Sequence, residues 1–234
     1  MFTLSTKAHR FVVLDGLRSI AALVVLCLHL VQQHDVTALP LAGLGVDFFY
    51  MLSGFVVAFA YEQRLQNTTM TLRSFAWVRI TRLYPPIFLG TASGIFLGLL
   101  AALYGKITYQ DLAISGTLGL LLLPSYIFPQ WSTAYPFNMA SWSLTFELFV
   151  NAVYGAIALR LTTRQLLKLI AGSAALLVWV AFMNHGIAGG NDQANFAYGF
   201  GRVMFPFFTG VLLFRFRFPQ RMASLVGVGI QSLR

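Results

Sequence analysis

An arginine and a histidine eleven positions apart, Arg18 and His29, lie in the first long apolar run of the chain, RSIAALVVLCLHL. Eleven helical residues turn through about three turns plus 20° and rise about 16 Å, so a guanidinium at a membrane edge and an imidazole deep in the span would share one face. Ionisable groups at that depth are costly; they face a protein or water-lined interior and mark function. An imidazole placed there suits general-base work, provided a carboxylate fixes its tautomer and stabilises the imidazolium. Two carboxylates offer themselves: Asp47 in GVDFF and Glu147 in SWSLTFELFV. Each also has a plainer explanation as charge compensation at a helix N-terminus, with Ser141 or Ser143 capping the helix of Glu147. Taken singly, cap and catalyst are equally good accounts of either residue.

A second kind of chemistry is offered by Arg79 and Arg82 in WVRITRLYPP. Three apart on a helix, they share a face, and two guanidiniums can clamp a phosphate by bidentate hydrogen bonds. Topological anchoring is the bland account of an isolated Arg-x-x-Arg, and it is the better one for Arg64 and Arg73. Arg18 fits either role. His9, His34 and His185 fall at or beyond span ends and read as solvated. The single cysteine, Cys27, rules out a disulfide framework and a cysteine-based metal site. No metal-ligand spacing and no phosphate-cradling glycine loop occurs. Asn67-Thr68-Thr69 fits the glycosylation pattern but falls in a loop expected inside the cell.

The elements that must position these residues are membrane helices. The chain is 58% hydrophobic and 10% charged, where a soluble domain carries about 25% charged residues. That composition predicts an all-α, polytopic transmembrane bundle, with apolar stretches too long for barrel strands. Spans are expected at about 17–34, 44–61, 83–104, 112–128, 142–159, 167–184 and 203–218. Residues 62–82 read as a longer loop, Pro85 and Pro86 as the start of the third span, and 185–201 as an exposed loop. Trp77, Trp131 and Trp142 fit interface anchoring. No repeat and no soluble second domain appears, so residues 1–234 form a single membrane-embedded domain. The N-terminal run lacks a clear small-residue cleavage site, which argues against a removable signal peptide.

Charge sets the orientation. The net charge of +9 comes from basic residues dispersed between spans, the mark of cytoplasmic loops and not of a nucleic-acid stripe. Lys7, Arg10 and Arg18 put the N-terminus in the cytoplasm, and two crossings return the arginines of 62–82 there. The later clusters, Arg160 with Arg164 and Lys168, then Arg215 with Arg217 and Arg221, stay inside only if 112–128 dips in and returns. Gly116, Gly119, Pro124 and Pro129 permit such a re-entrant segment. Six crossings plus one re-entrant piece are therefore favoured over seven crossings. Under six, His29, Asp47 and Glu147 share the outer half of the membrane; under seven, Glu147 moves to the cytoplasmic side.

Four stretches together carry a family resemblance: LDGLRSIAALVVLCLHL, GVDFFYMLSGFVVA, FAWVRITRLYPP and SWSLTFELFVNAVYG, in that order, with a fainter fifth in GRVMFPFFTGVLL. The chain resembles the acyltransferase-3 family of membrane acyltransferases, whose bacterial members O-acylate cell-envelope and extracellular glycans. The resemblance implies His29 as the essential catalytic residue, with Asp47 and Glu147 as acidic partners. It implies Arg79 and Arg82, with Arg18, as acyl-donor-binding residues. The implied reaction moves an acyl group, expected to be acetyl, from cytoplasmic acyl-CoA to a hydroxyl of an extracytoplasmic carbohydrate. No permanently bound cofactor and no metal is implied; the partners are the lipid bilayer of a bacterial inner membrane, acyl-CoA as donor substrate, and the glycan. Family members are longer and carry more membrane helices, so the chain is expected to lack the C-terminal third. Two other classes stay open: a proton-coupled transporter, which would bury the same acids but more often shows paired repeats, and a catalytically silent membrane protein.

Overall fold

The computed structural model describes residues 42–184, 186–187 and 189–217. The expected first span, with Arg18, Cys27 and His29, lies outside them, as do His9, His34, His185 and Arg221. Among the described residues there are six α-helices and no strand: α1 (Ala42–Gln66), α2 (Leu72–Leu103), α3 (Tyr109–Leu120), α4 (Ser141–Ile157), α5 (Thr163–Met183) and α6 (Tyr198–Arg217).

Threonines start three of these helices. Thr71, Thr108 and Thr162 stand in extended conformation and accept from the amides of Ser74, Asp111 and Gln165, which satisfies one orphan N–H in each first turn. At Thr162 the Gln165 side chain bonds back to the cap, completing a capping box.

Several expected boundaries move. The loop expected at 62–82 is mostly helix: α1 runs on to Gln66, a turn with Thr68 at φ 54° follows, and α2 begins at Leu72. Charged side chains made helix look like loop, because a 32-residue helix is about 48 Å long and overshoots a hydrocarbon core of about 30 Å. Pro85 and Pro86 accordingly lie inside α2 and not at its start. The segment expected at 112–128 is a 12-residue helix followed by irregular chain, and about 18 Å of helix is too short to span. The loop expected to be exposed at 185–201 holds buried Gly189, Gly190 and Phe196, and its last four residues already belong to α6.

Long-range contacts order the helices. At one end of the bundle Glu62 of α1 meets Arg215 of α6, and Arg215 also bonds Leu161 O just after α4. At the other end Asp47 of α1 meets Arg202 near the start of α6, with Trp142 of α4 beside it. Helices α1, α4 and α6 are therefore parallel. Helix α2 is antiparallel to them, since Phe75 near its start packs on Tyr61 and Tyr154. Helix α5 is also antiparallel, with Thr163 beside Arg215 and Trp179 beside Tyr198. Helix α3 folds back along α2 only to Tyr84, whose hydroxyl donates to Leu120 O. The chain from 121 to 140 leads into α4 beside the middle of α2, where Asn138 donates to Ile87 O and Thr91 Oγ1.

Between α1 and α6 the backbones touch. A Cβ on Gly54 would strike the carbonyl of Phe207, and one on Gly210 would strike that of Met51. Small residues permit this approach, which replaces hydrophobic drive with close van der Waals contact where the solvent is lipid. Around the seam lie the fully buried Val57, Phe146, Val150, Tyr154, Val203, Phe207 and Phe208. Four helices, α1, α2, α5 and α6, contain stretches long and apolar enough to cross a membrane; their outward faces carry exposed Phe88, Phe96, Leu97 and Phe182. The 17-residue α4 is slightly shorter, at about 25 Å.

Candidate functional site

Three acid–arginine pairs line α1 from end to end. Asp47 accepts from Arg202 through both oxygens, Nε to Oδ1 at 2.8 Å and Nη2 to Oδ2 at 3.0 Å. Arg202 also donates to Gly189 O at 3.4 Å, and its guanidinium stands 5.8 Å from the Trp142 ring centre. Six residues along α1, about 9 Å by helical rise, Ser53 donates to Glu147 Oε1 at 2.7 Å. The same oxygen accepts from Arg79 Nη2 at 3.0 Å. Farther on, Glu62 Oε1 accepts from Arg215 Nε at 2.7 Å, and Tyr154 donates to Glu62 Oε2 at 3.4 Å.

The first two pairs form one polar seam. Tyr50 lies between them, buried, its hydroxyl donating to Ser143 O and close enough to Asp47, Glu147 and Arg202 to interact electrostatically with all three. The side chains of Arg79 and Arg202 are each 4% exposed, those of Glu147 and Asp47 15% and 20%. Burial of this kind is tolerated only where each charge is paired and further bonded.

Helix-end compensation is overturned for both carboxylates. Glu147 is the seventh residue of α4, whose N-cap is Ala140 with no side-chain bond; Ser143 donates to Ala140 O instead, and Ser141 is buried. No acidic residue occupies the first turn of α1 either. The sequence-predicted donor arginines separate: Arg79 is buried against Glu147, whereas Arg82 is exposed. Arg64 and Arg73 are exposed, as expected of anchors.

Sequence reasoning missed Arg202, Arg215, Glu62 and Ser53 as members of this set. The available signal was an acid or arginine inside an apolar run, since each demands an opposite charge in another run. Among the described residues no cluster of three or more potential metal-binding side chains occurs.

Long apolar helices enclosing paired charges define an integral membrane protein with a polar interior. The family model for the acyltransferase-3 domain, described as an acyltransferase domain, matches residues 11–233, and the chain belongs to that family of membrane acyltransferases. The chain is 36% identical over 182 residues to a Rhizobium radiobacter protein named protein 2 in the picA locus, an alignment covering 74% of this chain and 95% of that one. It is 31% identical over 183 residues to acyltransferase MdmB of Streptomyces mycarofaciens, covering 73% of this chain and 46% of MdmB. The chain thus spans less than half the length of that second relative. No solved structure matches.

Proposed function

We propose that the protein transfers an acetyl group from cytoplasmic acetyl-CoA to a hydroxyl of a carbohydrate presented on the far side of a bacterial inner membrane. The observation that carries the reading is the buried seam of Ser53, Glu147 and Arg79 beside Asp47 and Arg202, inside a chain of an acyltransferase family. His29 takes the proton of the acceptor hydroxyl, whose oxygen forms the new ester bond at the thioester carbonyl. The C–S bond breaks, and the departing CoA sulfur receives the proton carried by the imidazole. Asp47 or Glu147 steadies the imidazolium. The anionic end of the donor is held by guanidiniums drawn from Arg18, Arg79 and Arg82.

The orientation is six crossings, namely the segment at 17–34 with α1, α2, α4, α5 and α6, while α3 and residues 121–140 enter and leave by one face. Support comes from the sorting of charge. Exposed Arg64, Arg73, Arg160, Arg164 and Lys168, together with Arg215, gather at the Glu62 end, and Lys106 and Asp111 lie toward the other. Basic residues mark the cytoplasmic side, which also puts the N-terminus there. The deciding experiment incubates purified protein with labelled acetyl-CoA and envelope saccharides and looks for ester formation. Loss of transfer in folded His29→Ala is expected; undiminished transfer removes His29 from the role. Ion flux into liposomes without consumption of acetyl-CoA replaces this reading with a transporter.

A further inference from the structure

The two carboxylates of the seam differ in what their oxygens already do. Both oxygens of Asp47 are taken by Arg202. Glu147 commits one: Oε1 accepts from Ser53 and from Arg79, and Ser53 Oγ itself accepts from Arg79 Nη2 at 3.4 Å, closing a three-member ring. Glu147 Oε2 accepts no hydrogen bond among the described residues, although the side chain keeps 15% of its surface exposed. Anchoring one oxygen of a carboxylate fixes where the other points, which is how supporting residues tune a reacting group.

The arginines of α2 differ in the same decisive way. Arg79 has a side chain 4% exposed and holds Glu147. Turning it toward an incoming phosphate would leave a buried carboxylate without its counter-charge, a costly rearrangement. Arg82, three residues on, is rotated about 60° around the helix axis and is exposed.

We infer that Glu147 Oε2 is the oxygen that meets the proton-bearing group of the reaction and that Arg79 and Ser53 are positioning residues for it, which leaves Arg82 as the exposed member of the arginine pair that the acyl-transfer reading assigns to the donor. The inference rests on the acyl-transfer reading above. Glu147 accepts a hydrogen bond from the acceptor hydroxyl or from an imidazole serving it; it stays charged and exchanges no covalent bond. Asp47 differs in that each of its oxygens already accepts from Arg202.

The test uses the full chain in lipid nanodiscs, with acetyl-CoA binding, turnover and thermal unfolding measured on each variant. Arg82→Gln is expected to weaken acetyl-CoA binding about tenfold while kcat changes less than about threefold. Arg79→Gln is expected to leave acetyl-CoA affinity within about twofold and to lower kcat at least about 30-fold, with partial recovery in Arg79→Lys. Glu147→Gln should match Arg79→Gln in kcat, and the double variant should be no slower than either, as for residues acting as one unit. Equal loss of acetyl-CoA affinity in Arg79→Gln and Arg82→Gln overturns the assignment, as do kcat losses that multiply in the double variant. Should the unmodified protein neither bind nor consume acetyl-CoA, the donor reading itself fails. The unfolding measurements still judge the anchoring in that case: a double variant more stable than either single one upholds it, and additive losses reject it.

Discussion

Burying an ion pair in a helical bundle makes its two members dependent on each other. Removing one leaves the other uncompensated, whereas removing both is tolerated. Asp47→Asn is therefore expected to lower stability by about 3 kcal/mol, read as an earlier thermal unfolding transition, because Arg202 keeps 4% exposure and loses both strong acceptors. Arg202→Met in the Asp47→Asn background should restore much of that loss, and a double variant as unstable as the sum of the singles would refute the coupling. The ingredients of the seam were legible in the sequence: Asp47, Glu147 and Arg79 attract notice as charges at the edges of apolar runs. Their partners were not. Nothing in the linear order says that Arg202 belongs to Asp47, 155 positions away, or that Arg79 belongs to Glu147 and not to a ligand beside Arg82. Pairing is a tertiary property, and period-based reading sees faces but not neighbours.

At the scale of elements, the α1–α6 contact is set by absent side chains. Gly54→Ala would place a methyl on the carbonyl of Phe207, so the helices must part or shift register. A loss of roughly 2 kcal/mol follows from such overpacking, and a shift would also lengthen the Asp47–Arg202 contact. Thermal unfolding of Gly54→Ala and Gly210→Ala should show both destabilised; Gly172→Ala, where an added Cβ meets nothing within 4 Å, should behave as the parent. A neutral Gly54→Ala would contradict the close seam. Helix existence was well predicted here because long apolar runs leave little choice. Boundaries fared worse for one physical reason. Rules calibrated on apolar length register only the part of a helix that contacts lipid, and α2 starts eleven residues before its expected apolar start because Thr71 caps it outside that zone.

At the scale of the whole molecule, whether α3 and residues 121–140 cross the membrane or turn back within it decides which loops face which compartment. In a Cys27→Ser background, a membrane-impermeant thiol reagent applied to whole cells should label Lys106→Cys but neither Thr69→Cys nor Arg164→Cys until the membrane is opened. Labelling of Arg164→Cys from outside would establish seven crossings instead. The expectation of six crossings came from loop composition alone; the point α3 reaches beside α2, at Tyr84, depended on packing and was invisible in the sequence. The partnership of α1 with α6 also has a bearing on biosynthesis. Asp47 and Glu62 leave the ribosome long before Arg202 and Arg215, and at about 5–20 residues per second the delay is on the order of ten to thirty seconds. Throughout that interval the nascent chain holds two acids in or beside the lipid whose counter-charges have yet to be translated, so a stalled or prematurely terminated polypeptide should be a marked target for membrane quality-control proteases.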